Sequence, residues 1–463
     1  MVKELFRARY SSGRTSLSRR GRPGHWVNAK RVLAGTGLAA SAIAGYPCRV
    51  PPSRLVTLVC IAQVCAQIGA YTWPALLPGF IADWHITNAE AGWITSLFYA
   101  AYTVSVPFLV TLTDRVDPRS VYLTGVGLTV ASHLGFAVFA DGPWSAGVAR
   151  VVAGVGWAGT YMTGLKLLAD RVEPALMSRA VAGHAAGIGI AGALSFLFAG
   201  ALNRWVGWRG AFAAAAGAAV IAWLLVFLWA PAQKRRADAP AAGKLFDFRP
   251  ALRNRSAMAY AVAYCAHTWE MNALRGWAVA FLAYVASTTG EQSPWLAPTV
   301  VATAMGLVGT WASVAGNEVS IRLGRQRLVR LAMTSCVACG AVIGFLGARS
   351  YPLAAALVLV YALLIWLDSS SLTAGAAGSA DPSRRGATLA LHSMAGYAGG
   401  FVGPLMIGWI LDLAGGMSAR GWGLAFLHVA VVALIGQLGF IALRPRDLAG
   451  DRSHAARRST APR

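Results

Sequence analysis

The chain has 463 residues, 41 of them Lys or Arg and 18 Asp or Glu, for a formal net charge of +23. Charged residues make up 13% and hydrophobic ones 56%, against roughly a quarter charged in soluble domains. So few charges cannot clothe a water-facing surface, and so apolar a chain is not disordered, which leaves a polytopic membrane protein.

In chain order, residues 1–53 come first, with ten basic residues against Glu4 alone. Their one apolar stretch, 32–45, is too short to span a bilayer. This segment is expected to be a disordered, basic cytoplasmic piece. Twelve runs then have the length and apolarity of membrane helices: 55–80, 91–113, 121–140, 145–168, 180–201, 211–230, 256–286, 295–317, 328–348, 352–376, 388–411 and 422–443. The ten-residue alternation of an outer-membrane barrel is absent. A basic tail, 444–463, closes the chain.

Short loops on one side hold Arg115, Arg119, Lys166, Arg171, Arg179, Arg322, Arg325, Arg327, Arg384 and Arg385, together with the long loop 231–255. The other side holds only Arg204, Arg209, Arg349 and Arg420. The excess of Lys and Arg marks the cytoplasmic side, so both ends are expected in the cytoplasm of a cell with the protein in its inner (plasma) membrane. The basic ends then face anionic headgroups, and the bilayer rather than nucleic acid is their partner. Six cysteines, including Cys336-x-x-Cys339, show no disulfide or metal framework, and neither a metal nor a cofactor is expected.

The second half repeats the first. Glu173-Pro174 precedes His184 by eleven residues, and Asp381-Pro382 precedes His392 by the same eleven, at an offset of 208. Gly207-Trp208-x-x-Ala211-Phe212 returns as Gly421-Trp422-x-x-Ala425-Phe426. The domain plan is therefore a six-helix bundle over 54–230, a cytoplasmic linker over 231–255 and a second bundle over 256–443. Two parallel repeats imply a pseudo-two-fold axis along the membrane normal and a solute path between the halves.

These residues resemble the major facilitator superfamily of secondary transporters. After span two, Asp114 and Arg115 match the family's G-x-x-x-D-R-x-G-R loop and Arg119 nearly does, with Val110 and Asp117 in place of its glycines. The second copy keeps Arg322, Gly324 and Arg325 but has Ile321 for the acid. Arg150-x-x-x-Gly154-x-Gly156 matches the family's span-four pattern. The span-five pattern with Gly-Pro of drug/proton antiporters is not kept in Ala186–Gly192, and the Asn of nitrate carriers is missing from spans five and eleven. The resemblance implies an all-α fold of twelve helices and a cytoplasmic gate at Asp114, Arg115, Arg119, Arg322 and Arg325.

An ionisable side chain at mid-bilayer costs several kcal/mol unless it meets a cavity or a partner. Arg150, Trp157 and Tyr161 share a face of span four, and Gln63, Gln67 and Tyr71 form a polar stripe on span one. Span seven carries Tyr260, Tyr264, His267, Glu270 and Arg275. Arg275 lies about 140° round the helix from Glu270, so these two do not pair within it and Glu270 faces another helix or the cavity. Gln63, Gln67, Tyr71, Arg150, Trp157, Tyr161, Tyr264, His267 and Arg275 are the candidate solute contacts. Glu270 and Asp368 are the candidate proton carriers. No P-loop, H-E-x-x-H or G-x-S-x-G elbow supports an enzyme. The expected function is alternating-access transport of a small solute, preferably an anion coupled to protons, by a monomer. Export of amphipathic compounds and a non-transporting receptor on the same scaffold are the alternatives.

Overall fold

The computed structural model describes residues 51–113, 115–233, 248–291, 294–381, 385–446 and 448. Asp114, most of the linker and nearly all of both terminal segments lie outside the described residues, and so do the expectations of disorder placed on them. Among the described residues the regular structure is helical: α1 Pro52–Gln67, α2 Thr72–Trp84, α3 Asn88–Leu112, α4 Pro118–Phe139, α5 Pro143–Ala169, α6 Pro174–Trp229, α7 Arg249–Arg253, α8 Arg255–Thr289, α9 Pro298–Leu323, α10 Arg325–Gly347, α11 Tyr351–Trp366, α12 Ser369–Ser379, α13 Arg385–Leu413 and α14 Ala419–Leu443. Prolines open α4, α5 and α9, where the first turn has no use for an N–H. Thr87 and Glu90 form a capping box on α3, and Asn254 and Ser418 cap α8 and α14.

Nine helices are long and apolar enough to cross a membrane among the described residues, counting α1–α2 and α11–α12 as one each. α6 crosses twice. It turns back at Gly207, whose φ of 68° suits a residue without a Cβ. Phe196, before that turn, stacks 5.4 Å from Tyr71, and Ala215, after it, abuts Gly69. α5 and α8, made less apolar by the polar residues singled out above, supply the remaining two of twelve spans. The chain is thus an all-α, multi-pass membrane protein. Two differences from the sequence reading concern continuity. Spans five and six are joined by a kink rather than a loop. Spans one and ten are each interrupted, at residues 68–71 and 367–368.

Within the first half α1 packs on α6, and α4 on both α5 and α6; within the second, α8 packs on α13 and α14, and α9 on α11. Gly125 and Gly159 bring α4 and α5 to backbone contact: a Cβ on Gly159 would lie 2.7 Å from Gly125 Cα. Such small-residue contacts replace the hydrophobic drive that lipid removes. Two aromatic clusters consolidate the ends away from the basic loops. One joins Trp73, Phe80, Phe136, Trp208 and Phe212, with Phe136 and Phe212 stacked at 3.9 Å. The other joins Trp277, Phe281, Trp422 and Phe426.

The halves meet through α3 with α13, α6 with α9 and α2 with α8. Along the α3–α13 seam, Tyr102 and Tyr397 rings lie 4.1 Å apart at mid-depth. Trp93 and Phe401 follow at 5.6 Å, and Asn88 meets Asp412 at the end away from the basic loops.

Candidate functional site

The interruption of span one shapes the centre of the molecule. Residues 68–71 leave the helical ladder, the Tyr71 N–H donates instead to Ser195 Oγ at 2.9 Å, and the Ala70 carbonyl is freed. Arg150 takes it: its Nη1 donates to Ala70 O at 3.3 Å, and its guanidinium lies 4.4 Å over the Phe98 ring. Arg150 is buried, 3% exposed, and its Nε has no partner among the described residues. Arg150 therefore does not reach out to interfacial water.

Arg275 comes from the second half. Its guanidinium lies between two rings, 5.4 Å from Tyr71 and 4.7 Å from Trp366. Tyr71 thus connects the two cations. Its ring also stands 6.2 Å from Trp157, and Trp157 packs edge-on against Phe98 at 5.1 Å. Two guanidinium groups, one per half, share an aromatic enclosure built from spans one, two, four, seven and ten. Among the described residues no carboxylate pairs with either.

The acids are elsewhere. Glu270 Oε1 accepts from Tyr361 Oη at 2.9 Å inside the second half, away from Arg275, as the helical angle requires. His267 Nδ1 stands 2.9 Å from Asp368 Oδ1, both side chains nearly inaccessible. Asp368 occupies the interruption of span ten, between α11 and α12. Tyr264 stacks on His267 and on His392, at 5.6 and 4.1 Å. His267 Nε2 is buried without a partner among the described residues.

The remaining expected contacts turn inward to their own half. Gln63 accepts from Tyr122 Oη at 3.1 Å, and Gln67 donates to Thr160 Oγ1 at 2.9 Å. Both are buried, so these two members of the stripe hold α1 to α4 and α5, and only Tyr71 at its end meets the second half, at Arg275. The Tyr161 carbonyl is taken by His184 Nε2 at 3.0 Å.

At the basic loops, Asp114 lies outside the described residues. Asp117, read from sequence only as a departure from a glycine, is the hub. Its carboxylate accepts from Arg171 Nη2 at 2.6 Å, from the Gln233 N–H at 2.8 Å and from the Arg119 N–H at 3.0 Å. Burial pushes its carboxyl up, but those two N–H groups and the guanidinium outweigh it, so the carboxyl titrates below its ordinary value. Arg119 reaches the Phe227 carbonyl at 2.7 Å, and Arg115 is exposed. Arg322 pairs with Glu318 on the surface at 3.0 Å. Arg325 donates to the Ser371 carbonyl at 3.1 Å. These contacts of Arg119, Arg322 and Arg325 each stay within one half.

Phe98, Trp366 and Tyr361 were missed from sequence, since an aromatic on an apolar helix carries no signal of its own. Position within the repeated polar spans was the one available clue.

Twelve spans whose two repeats meet around a buried arginine are the architecture of a membrane transporter. The sequence profile described as the Major Facilitator Superfamily matches residues 59–379, more than half of the chain, and the chain belongs to that family. An uncharacterized MFS-type transporter of Mycobacterium tuberculosis, Rv1250, is 32% identical over 157 residues, which cover 34% of this chain and 27% of that relative. The chain therefore matches about a quarter of that protein's length. Among solved structures, a bacterial homolog of the human lysosomal transporter Spinster, inward-facing and unoccupied, superposes with a TM-score of 0.72 at 14% identity, covering 85% of this chain and 96% of that one. The nucleoside transporter NupG superposes with a TM-score of 0.70 at 12% identity, covering 85% and 99%. At these identities the likeness is one of fold.

Proposed function

We propose that the protein is a proton-coupled secondary transporter of a small organic anion, acting as a monomer in the plasma membrane with its basic loops and both ends in the cytoplasm. One observation carries the reading: Arg150 and Arg275, contributed by different halves, lie on aromatic rings without a carboxylate partner among the described residues. Arg150 is buried and Arg275 half-buried; a buried guanidinium is costly unless paired, and an anionic solute is the missing partner. Its binding draws the halves together because each half supplies one cation.

The cross-half contacts at the α3–α13 seam close the face opposite the basic loops, which supports an inward-facing state. Glu270 and Asp368 are the proton carriers in this reading. Glu270 meets a phenol and Asp368 an imidazole, so each exchanges a proton without breaking a pair with Arg or Lys. The aromatic walls favour a planar acid over an inorganic ion.

The test is binding to the purified protein of benzoate against benzamide and of lactate against lactamide, followed by uptake of the bound acids into proteoliposomes under an imposed pH gradient. Binding of acids but not amides, with gradient-driven uptake, is the expected result. Equal binding of acid and amide refutes the anion site.

A further inference from the structure

Span two begins at α3, and its first turn exposes N–H groups that need acceptors. Its own cap serves one of them: Thr87 Oγ1 accepts from the Glu90 N–H at 3.1 Å. The two before it are served from the other half. Asp412, at the end of α13, accepts from the Asn88 N–H at 3.1 Å through Oδ1 and from the Ala89 N–H at 2.7 Å through Oδ2. Oδ1 also accepts from Asn88 Nδ2 at 2.7 Å. A carboxylate on span eleven thus sits on the positive end of span two, 324 residues away in sequence.

The local backbone fits this contact. A Cβ on Gly408, one turn before Asp412, would meet the Asn88 carbonyl at 2.1 Å, and one on Gly92 would meet the Pro404 carbonyl at 2.9 Å. The two helix ends touch because glycine stands at both places.

We propose that Asp412 is a latch that holds the face opposite the basic loops closed, acting as a positioning residue on the equilibrium between the two transport conformations. The idea rests on the alternating-access reading, since opening that face must part α3 from α13. Charge–dipole attraction and three charge-assisted hydrogen bonds break together in that step. No comparable price attaches to motion within either half, because the latch joins only the two helix ends.

The experiment is pulsed electron-spin distance measurement between labels at Ala82 and Ala419, in lipid nanodiscs, with the native cysteines replaced. Asp412→Asn keeps the shape but loses one acceptor, and Asp412→Ala loses both. Both are expected to raise the long-distance population roughly tenfold or more. Ala89→Asp in the Asp412→Asn background supplies charge to the same helix end from within the first half. It restores capping but not the bridge, so the long distance is expected to persist. Unchanged distances in both Asp412 variants overturn the latch, and so does return to the original distribution on adding Ala89→Asp. Benzoate uptake measured in parallel separates the two ideas: uptake with unchanged distances refutes the latch alone, whereas shifted distances without uptake of any carboxylate support the latch and refute the anion reading.

Discussion

Arg150→Met separates what the protein spends on its binding site from what it spends on its fold. In the unliganded chain this guanidinium has one hydrogen bond, at 3.3 Å, and one ring face at 4.4 Å. The ring contributes up to about 2 kcal/mol in a desolvated setting, and the bond to the carbonyl about 1.5 kcal/mol. Against them stands a desolvation cost of several kcal/mol, with Nε unsatisfied. The sum is near zero or unfavourable, so replacing Arg150 by the similarly long, apolar Met leaves the unliganded protein at least as stable as before. Binding of an acid behaves in the opposite way. Removing one member of a buried charge pair costs about 2–5 kcal/mol, which is about 30-fold to a few thousand-fold in affinity. The assay is thermal denaturation of the detergent-purified protein with and without saturating benzoate, plus equilibrium binding. The expected result is an unchanged or raised melting temperature without ligand and loss of the benzoate-induced rise. A variant that melts well below wild type yet keeps its benzoate response would show Arg150 to be structural and refute the reasoning.

Three further outcomes follow from other parts of the molecule. Glu270→Gln is expected to abolish the response of uptake to an imposed pH gradient while solute counterflow persists; a retained response removes Glu270 from the coupling step. Gly159→Val forces a side chain onto the Gly125 backbone and should leave little monodisperse protein on size exclusion, whereas Gly127→Ala, with nothing within 4 Å of the added Cβ, should behave as wild type. For Asp117→Asn, the depressed carboxyl means that wild type holds its full advantage above the ordinary value of 3.8 and loses it as the pH falls through the lower folded-state value. The wild-type and variant melting temperatures should therefore differ at neutral pH and converge in acid.

The twelve spans were legible because lipid enforces helices on apolar runs of a fixed length, and residues 201–211 were rightly read as a reversal even though the helix carries through to Gly207. The direction of Glu270 was legible as well: a five-residue step around an α-helix separates it from Arg275 whatever the neighbours are. What escaped were features set by packing between distant segments. Nothing near Asn88 announces Asp412. The interruption at 68–71 has a local cause that went unread, since Pro74 offers no N–H to the Ala70 carbonyl four residues before it; the one at 367–368 has no such proline, and the polar stripe of Gln63 and Gln67 looks the same whether it faces a cavity or a neighbouring helix. Tyr122 and Thr160, lying on other helices, decide that question. Asp117 was overlooked because comparison with a motif draws attention to matches, whereas its role arises from Arg171 and Gln233.

The anchor of Arg150 is a main-chain oxygen. A carbonyl belongs to no particular amino acid, so substitutions at position 70 that respect the local bend leave the anchor in place. The rings at positions 71, 98, 157 and 366 have no such insurance. Descendants of this chain could therefore exchange those rings one at a time and acquire new cargo while the cation stays moored, which makes the bend in span one a fixed point around which specificity can drift.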